Sequence, residues 1–364
     1  MTAVLDAPST GWAADVTALR ARLAAHEATA ATGPTAAAER LTLRHRLISL
    51  TSGHPSALLA LLTSVDAAVH EFPGWPDLLL LRGSLGLAVH RPDVASAALA
   101  ALDDAADMPP VQVLAAHLAA FCGEYADARA LYTEANRLDP QWDIWARLAD
   151  LDVATGRFDE AEQCFDAAED ELTVKQMRAF AWVRVQRGDL ALALGDHDRA
   201  AARYDDAERA YAGWWYVAAH RAALDVARGR PEAAVNAYLG VIAVADRPEF
   251  REGLGTALSA AGRPFEAATC LESALSEYTA SAERDEVHYL HHLAGYWMSR
   301  DPTLAVGWAR RDAEVRRDGR TLSMLAACLF RAGRPLEARR TLHEALQLGA
   351  GDPVLRARLA QIGV

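Results

Sequence analysis

The 364-residue sequence predicts an all-α fold, a solenoid of antiparallel helical hairpins, on three observations. Alanine and leucine dominate a chain that is 52% hydrophobic, and β-branched residues are sparse, which favours helix throughout. A helix–glycine–helix unit recurs along the chain. It returns with a period near 34 residues (glycine spacings of 33, 39, 34, 33 and 71), the length of two short helices and two turns.

The repeat is read from six segments in register, opening at Gly123, Gly156, Gly195, Gly229, Gly262 and Gly333. Five residues after each glycine stands an alanine: Ala128, Ala161, Ala200, Ala234, Ala267 and Ala338. Four residues later comes an aromatic or leucine: Tyr132, Phe165, Tyr204, Tyr238, Leu271 and Leu342. A further copy upstream has His90 in the glycine slot and Ala95 in the alanine slot. The longest interval hides another copy whose turn, SRDPTLA, lacks the glycine.

Each anchor has a physical reason. The glycine ends the first helix in a left-handed backbone conformation. The proline or acidic residue after it opens the second helix, where proline costs nothing. The alanine lets the two helices approach closely. The aromatic or leucine lies on the same face and fills the space between hairpins. Before each glycine runs an apolar stripe at helical spacing, for example Trp145, Leu148 and Ala149.

Four stretches follow from this pattern. Residues 1–35 hold an amphipathic helix over 12–30 and a small-residue linker, ATGPTAA. Residues 36–75 form a degenerate first hairpin around GHPS, residues 76–350 the array of about eight repeats, and residues 351–364 a capping helix. Terminal repeats need such covers because their outer face has no neighbour. Two places break the period, 169–181 and 276–287, each with extra residues expected as extended helix that bends or divides the array.

The pattern resembles the tetratricopeptide repeat family over about residues 76–350. Repeats begin near Pro76, Pro109, Trp142, Ala181, Trp215, Pro248, Val287 and Gly319. The family's early tryptophan or leucine is met by Trp145, Leu79 and Leu322 and its terminal proline by Pro140, whereas Arg187 and Arg221 stand where leucine is usual. The resemblance implies a right-handed superhelix whose concave groove, lined by first helices, receives a partner peptide or helix.

Charge and chemistry narrow the function. A formal net charge of −12 and no basic run longer than a pair of arginines argue against nucleic-acid binding. Lys175 is the single lysine, the codon bias of a GC-rich bacterial genome. Cys122, Cys164, Cys270 and Cys328 form no CxxC pair and are expected as free thiols in a reducing compartment. The first sixteen residues lack a basic and apolar leader pattern, and the longest apolar stretches are too short to span a bilayer, so a cytoplasmic protein without membrane insertion is expected. No phosphate loop, nucleophile elbow or HExxH pair occurs, and the paired carboxylates fall in turns or on second helices. The expectation is an interaction scaffold, not an enzyme, with no cofactor.

The resemblance places Trp182, Tyr216, His220, Glu249, Glu252, His288, His291 and His292 on the groove, as candidate partner contacts. On this first helix His288 converges with His291 and His292, three and four residues on. Glu249 and Glu252 sit at corresponding positions of the preceding repeat. Imidazoles beside carboxylates are ligands suited to zinc, nickel or iron, and also a pH-sensitive patch, so a small-ligand or metal-binding role is the alternative.

Overall fold

A computed structural model describes residues 11–29 and 32–363; the leader pattern judged over residues 1–10 lies outside them. Every regular element among the described residues is helical. The chain opens with α1 (Trp12–Ala28), α2 (Pro34–Thr51) and α3 (Pro55–Glu71). Hairpins follow as α4 (Pro76–Ala88) with α5 (Pro92–Ala100), α6 (Pro109–Cys122) with α7 (Tyr125–Leu138), and α8 (Trp142–Ala154) with α9 (Phe158–Asp170). Next come α10 (Met177–Ala193) with α11 (His197–Ala210), α12 (Trp215–Ala227) with α13 (Pro231–Ile242), and α14 (Pro248–Ala260) with α15 (Pro264–Glu283). The last are α16 (Leu290–Trp297) with α17 (Pro302–Val315), α18 (Gly319–Arg331) with α19 (Pro335–Gln347), and α20 (Pro353–Ile362).

Six of the eight first helices start at the residue the period names; the other two adjoin the breaks. The first helix expected at Ala181 starts at Met177, and the one expected near Val287 starts at Leu290. Only the second break is an extended helix, α15 running on to Glu283; the first is a turn followed by a long α10. The linker ATGPTAA is shorter than expected, because Pro34 is already the first residue of α2.

The anchors sit as their chemistry requires. The six turn glycines have φ between 67° and 83°, and His90 takes the same left-handed conformation at 59°. The six alanines are buried at 3% exposure or less. Tyr132, Phe165, Tyr204, Tyr238 and Leu342 are buried beside them, with Leu271 half-buried.

The helices gather into two compact units, each drawn from separated stretches. Unit 1 comprises residues 1–32 as far as described, 39–54 and 165–274. Unit 2 comprises 33–38, 55–164 and 275–364. The borders at 164/165 and 274/275 lie a few residues before the two breaks in period.

In unit 1, Trp12 and Val16 of α1 and Leu47 and Leu50 of α2 share an apolar cluster with Tyr204, Tyr211, Trp214, Trp215 and Phe250. The indoles of Trp12 and Trp215 both donate to the Leu50 carbonyl, at 2.7 and 2.9 Å. That carbonyl lies in the last turn of α2, where helix geometry supplies no partner. Arg187, a departure from the family pattern, is 5% exposed and reaches Asp166 at 2.8 Å and Glu169 at 3.0 Å; Glu169 also meets Arg184 at 2.6 Å. The ion pairs explain how a cation occupies a leucine slot.

In unit 2, contacts between distant repeats add to those between neighbours. The Gly319 amide donates to the Tyr125 hydroxyl at 2.8 Å, and the Gly351 amide to the Ala154 carbonyl at 2.9 Å. The Arg356 guanidinium donates to the carbonyls of Gly156 (2.9 Å) and Gly351 (2.8 Å). Helices α18–α20 thus seat on the glycine turns that follow α6 and α8. A Cβ on Gly123 would lie 2.7 Å from the Arg317 carbonyl oxygen, and one on Gly156 2.6 Å from that of Gly351. These two glycines therefore serve a close approach as well as a turn.

Candidate functional site

Helices α10 and α12 are adjacent first helices of unit 1, and each bears a second, half-buried face beside its buried residues. On α10 that second face carries Trp182, Gln186 and Asp189, spaced four and three residues apart. On α12 it carries Tyr216 and His220. The two faces pair rung by rung. The Gln186 amide donates to the Tyr216 hydroxyl at 2.9 Å, and His220 Nδ1 lies 2.7 Å from the Asp189 carboxylate. Asp189 also accepts from the Tyr204 hydroxyl at 2.7 Å. Burial first and the Asp189 charge second push the Tyr204 phenol well above its ordinary range, so it stays a donor. The His220 ring stands edge-on to Tyr216 with centroids 4.5 Å apart. Trp182, Tyr216 and His220 are half-buried, neither core nor fully solvated.

Three of the sequence-predicted residues, Trp182, Tyr216 and His220, thus belong to one region of unit 1, on which Gln186, Asp189 and Tyr204 converge without having been predicted. Glu249 and Glu252 stand half-buried on α14, in the same unit, with Glu249 held at 2.5 Å by Arg247. A carboxylate fixing imidazole Nδ1 sets which ring nitrogen remains to meet a ligand. The arrangement offers aromatic faces and oriented polar atoms, which is the chemistry of recognition.

The three remaining candidates lie in unit 2, and the expected shared helix face needs correcting. Helix α16 begins at Leu290, so His288 precedes it in the connecting turn, where Asp285 adopts a left-handed φ of 58°. The long α15 postpones the start of α16 and leaves it only 8 residues. His288 is buried, with Nε2 3.3 Å from the Ser281 hydroxyl and its ring 4.3 Å from that of Tyr289. His291 and His292 have centroids 4.1 Å apart, and His292 stacks on Tyr278 at 4.8 Å.

His90, from the turn between α4 and α5, joins this group. Burial first, then Arg316, His288 and His292, lower its pKa to about 3. His291 is held well below the usual imidazole range by burial, then by His292, Arg316, His90 and Arg320. Asp312, buried with its carboxylate 3.5 Å from Arg316 Nε, is pushed up by burial. Burial and neighbouring cations thus hold His90 and His291 toward the neutral form. Among the described residues no group of three or more histidine, cysteine, aspartate or glutamate side chains is placed to hold a metal ion. The four cysteines are free.

Comparison with known proteins follows the fold. Residues 122–179 match the family model described as tetratricopeptide repeat. No curated protein sequence matches the chain. Three solved structures are similar. The APC/C hetero-tetramer Cut9–Hcn1 aligns with a TM-score of 0.52 at 12% identity over 94% of this chain and 59% of that one, so this chain spans under two thirds of its length. A tetratricopeptide repeat protein from Parabacteroides merdae gives 0.50 at 16% identity over 68% and 92%. The human IFIT1 dimer with m7Gppp-AAAA gives 0.50 at 12% identity over 93% and 95%. At such identities the likeness speaks to fold alone.

Proposed function

We propose that this chain, a protein of the tetratricopeptide-repeat kind, is an interaction scaffold that holds a peptide or helix of a partner protein on the first helices of unit 1. One observation carries the proposal: Trp182, Gln186 and Asp189 of α10 meet Tyr216 and His220 of α12 as a half-buried aromatic and polar surface. Aromatic side chains with a polar handle are the usual anchors of protein recognition. Glu249 and Glu252 of α14, in the same unit, are candidates to add polar contacts, although Glu249 already pairs with Arg247. No step of chemistry is assigned: among the described residues the hydroxyls near the Asp189–His220 pair are the phenols of Tyr204 and Tyr216, and fold does not supply a reaction. Free thiols and an acidic surface fit a reducing cytoplasm and a partner that is not nucleic acid.

The test is capture from the native extract by the wild-type chain and by a Trp182→Ala, Tyr216→Ala, His220→Ala variant of unchanged helicity. The variant is expected to lose at least tenfold in affinity for whatever the wild type retains, as truncation of two or three anchors does. Equal capture by both would sink the proposal.

A further inference from the structure

Helix α1 is bound to unit 1 in the manner of a ligand. Of its 17 residues only Val16 is buried. Trp12, Asp15 and Val16, at helical positions i, i+3 and i+4, make one face. The Trp12 indole donates to the Leu50 carbonyl at 2.7 Å, and the Trp12 amide to the Ala212 carbonyl at 3.2 Å. The Asp15 carboxylate accepts from the Tyr211 hydroxyl at 2.7 Å. Gly11, at φ +132°, brings the backbone against Ala212, where a Cβ would come within 3.2 Å of the carbonyl oxygen. The seat therefore reads a short pattern, Gly–Trp–x–x–Asp–Val, from a helix that opens at the tryptophan.

The seat also tolerates being vacated. The Leu50 carbonyl keeps the indole of Trp215 when Trp12 leaves. Ala212 is exposed, so water can take the place of the Trp12 amide. Of the bonds of α1 toward α2, Arg44 to Glu27 at 2.6 Å joins exposed side chains and is of small worth, while His26, itself largely covered, meets the exposed Glu39 at 3.2 Å.

Building on the partner-holding role of unit 1 argued above, we propose that α1 is a resident, displaceable occupant of a helix-binding seat formed by Leu50, Tyr211, Ala212 and Trp215. The partner this seat fits is a helix with an acidic first turn opened by Gly–Trp, carrying the carboxylate and the β-branched residue three and four positions after the tryptophan. The tether gives α1 a high effective concentration, so it shields the seat until such a helix arrives at sufficient concentration. The α1 of a second copy is the weaker competitor, because the tethered copy always precedes it.

The probe is a labelled synthetic peptide of residues 11–28, GWAADVTALRARLAAHEA, titrated by fluorescence anisotropy into the full chain. Trp12→Ala in the chain empties the seat, and apparent affinity scales with the fraction of seat that is free. The peptide is expected to bind the Trp12→Ala chain at least about tenfold more tightly than the wild type. A peptide with its own tryptophan changed to alanine and aspartate to asparagine is expected to lose that binding. If Trp12→Ala lowers the helix signal in circular dichroism, Asp15→Ala, which keeps the indole, replaces it with the same expectation. Equal affinity for wild type and variants, or equal binding of the altered peptide, overturns the proposal. A concentration-dependent wild-type dimer dissolved by the peptide overturns the partner assignment in favour of exchange between copies. Partner capture through Trp182, Tyr216 and His220 is measured on the same chains, so a failure of the seat leaves that result standing on its own.

Discussion

His90→Gly separates two effects that a single stability measurement would blend. His90 occupies the slot that glycine fills in six other repeats, at φ 59°, with its ring edge-on to Phe121 at 5.6 Å. Removing the Cβ relieves about 1 kcal/mol of left-handed strain. Glycine's extra freedom in the unfolded chain and the lost ring contact oppose this with about 0.5–1 kcal/mol each. At pH 7.5 the variant should therefore lie within about 1 kcal/mol of wild type.

The proton term behaves differently. Burial, Arg316, His288 and His292 depress the folded pKa of His90 from 6.5 to about 3, so between those values the unfolded chain binds the proton and the folded chain does not. Stability then rises with pH across that window, is fully present above about 6.5, and is lost progressively as pH falls toward 3. At pH 5 the difference amounts to about 2 kcal/mol and at pH 7.5 to almost nothing, at about 1.36 kcal/mol per pKa unit. Urea unfolding of wild type and His90→Gly at pH 7.5 and pH 5, followed by tryptophan fluorescence, isolates the term, since the backbone effects do not depend on pH. The acid-induced loss should shrink by about 2 kcal/mol in the variant. An unchanged loss would refute the claim that this imidazole is buried neutral against its neighbours. His117, whose pKa burial and then Arg147 lower to about 3, stands edge-on to Tyr132 and adds a term of the same size and sign.

Three further outcomes are expected. Gly156→Ala and Gly195→Ala share the cost of a left-handed alanine, about 1–2 kcal/mol, but a Cβ at Gly156 meets the Gly351 carbonyl and the Arg356 guanidinium whereas one at Gly195 meets nothing within 4 Å. Gly156→Ala should be worse by about 1–3 kcal/mol in urea midpoint, and equal costs would show that α20 does not seat there. Ala161→Leu, at a residue with no exposed surface, should lower stability by about 1–3 kcal/mol, and an unmoved melting temperature would contradict the packing. Arg187→Leu should stay within about 1 kcal/mol of wild type, because Glu169 keeps Arg184 at 2.6 Å and the family's usual leucine refills the slot; a loss of several kcal/mol would mean the ion pair is needed for folding.

Most of the fold was legible because each repeat states its own turn and its own close contact in residues that have few substitutes. A glycine at φ near 75° and an alanine with no room for a larger side chain can be read without neighbours. Where those residues lapse, the period loses its anchor, and the two helix starts that differ, Met177 and Leu290, both adjoin segments without them. The seating of α18–α20 on the turns after α6 and α8 left no trace of its own. Gly123 and Gly156 were already required by their turns, so a second requirement on the same residue adds nothing to the letter in the sequence.

The candidate site divides along the same line. Trp182, Tyr216 and His220 came from position within the repeat, and position is what the periodic signal conveys. Gln186 and Asp189 were within reach, since they follow Trp182 at four and seven residues on the same helix face, a spacing that only mattered once α12 supplied their partners. The histidine group was misread for a physical reason: a shared face presumes a continuous helix, and His288 lies in a turn whose length is set by how far α15 runs. His90 did carry a signal. A bulky, titratable residue in a slot that elsewhere demands glycine tolerates strain, and strain persists only where the surroundings over-determine it. Here the surroundings are Phe121, Arg316, His288 and His292, so an irregular letter in the repeat marked where residues two hundred positions apart meet.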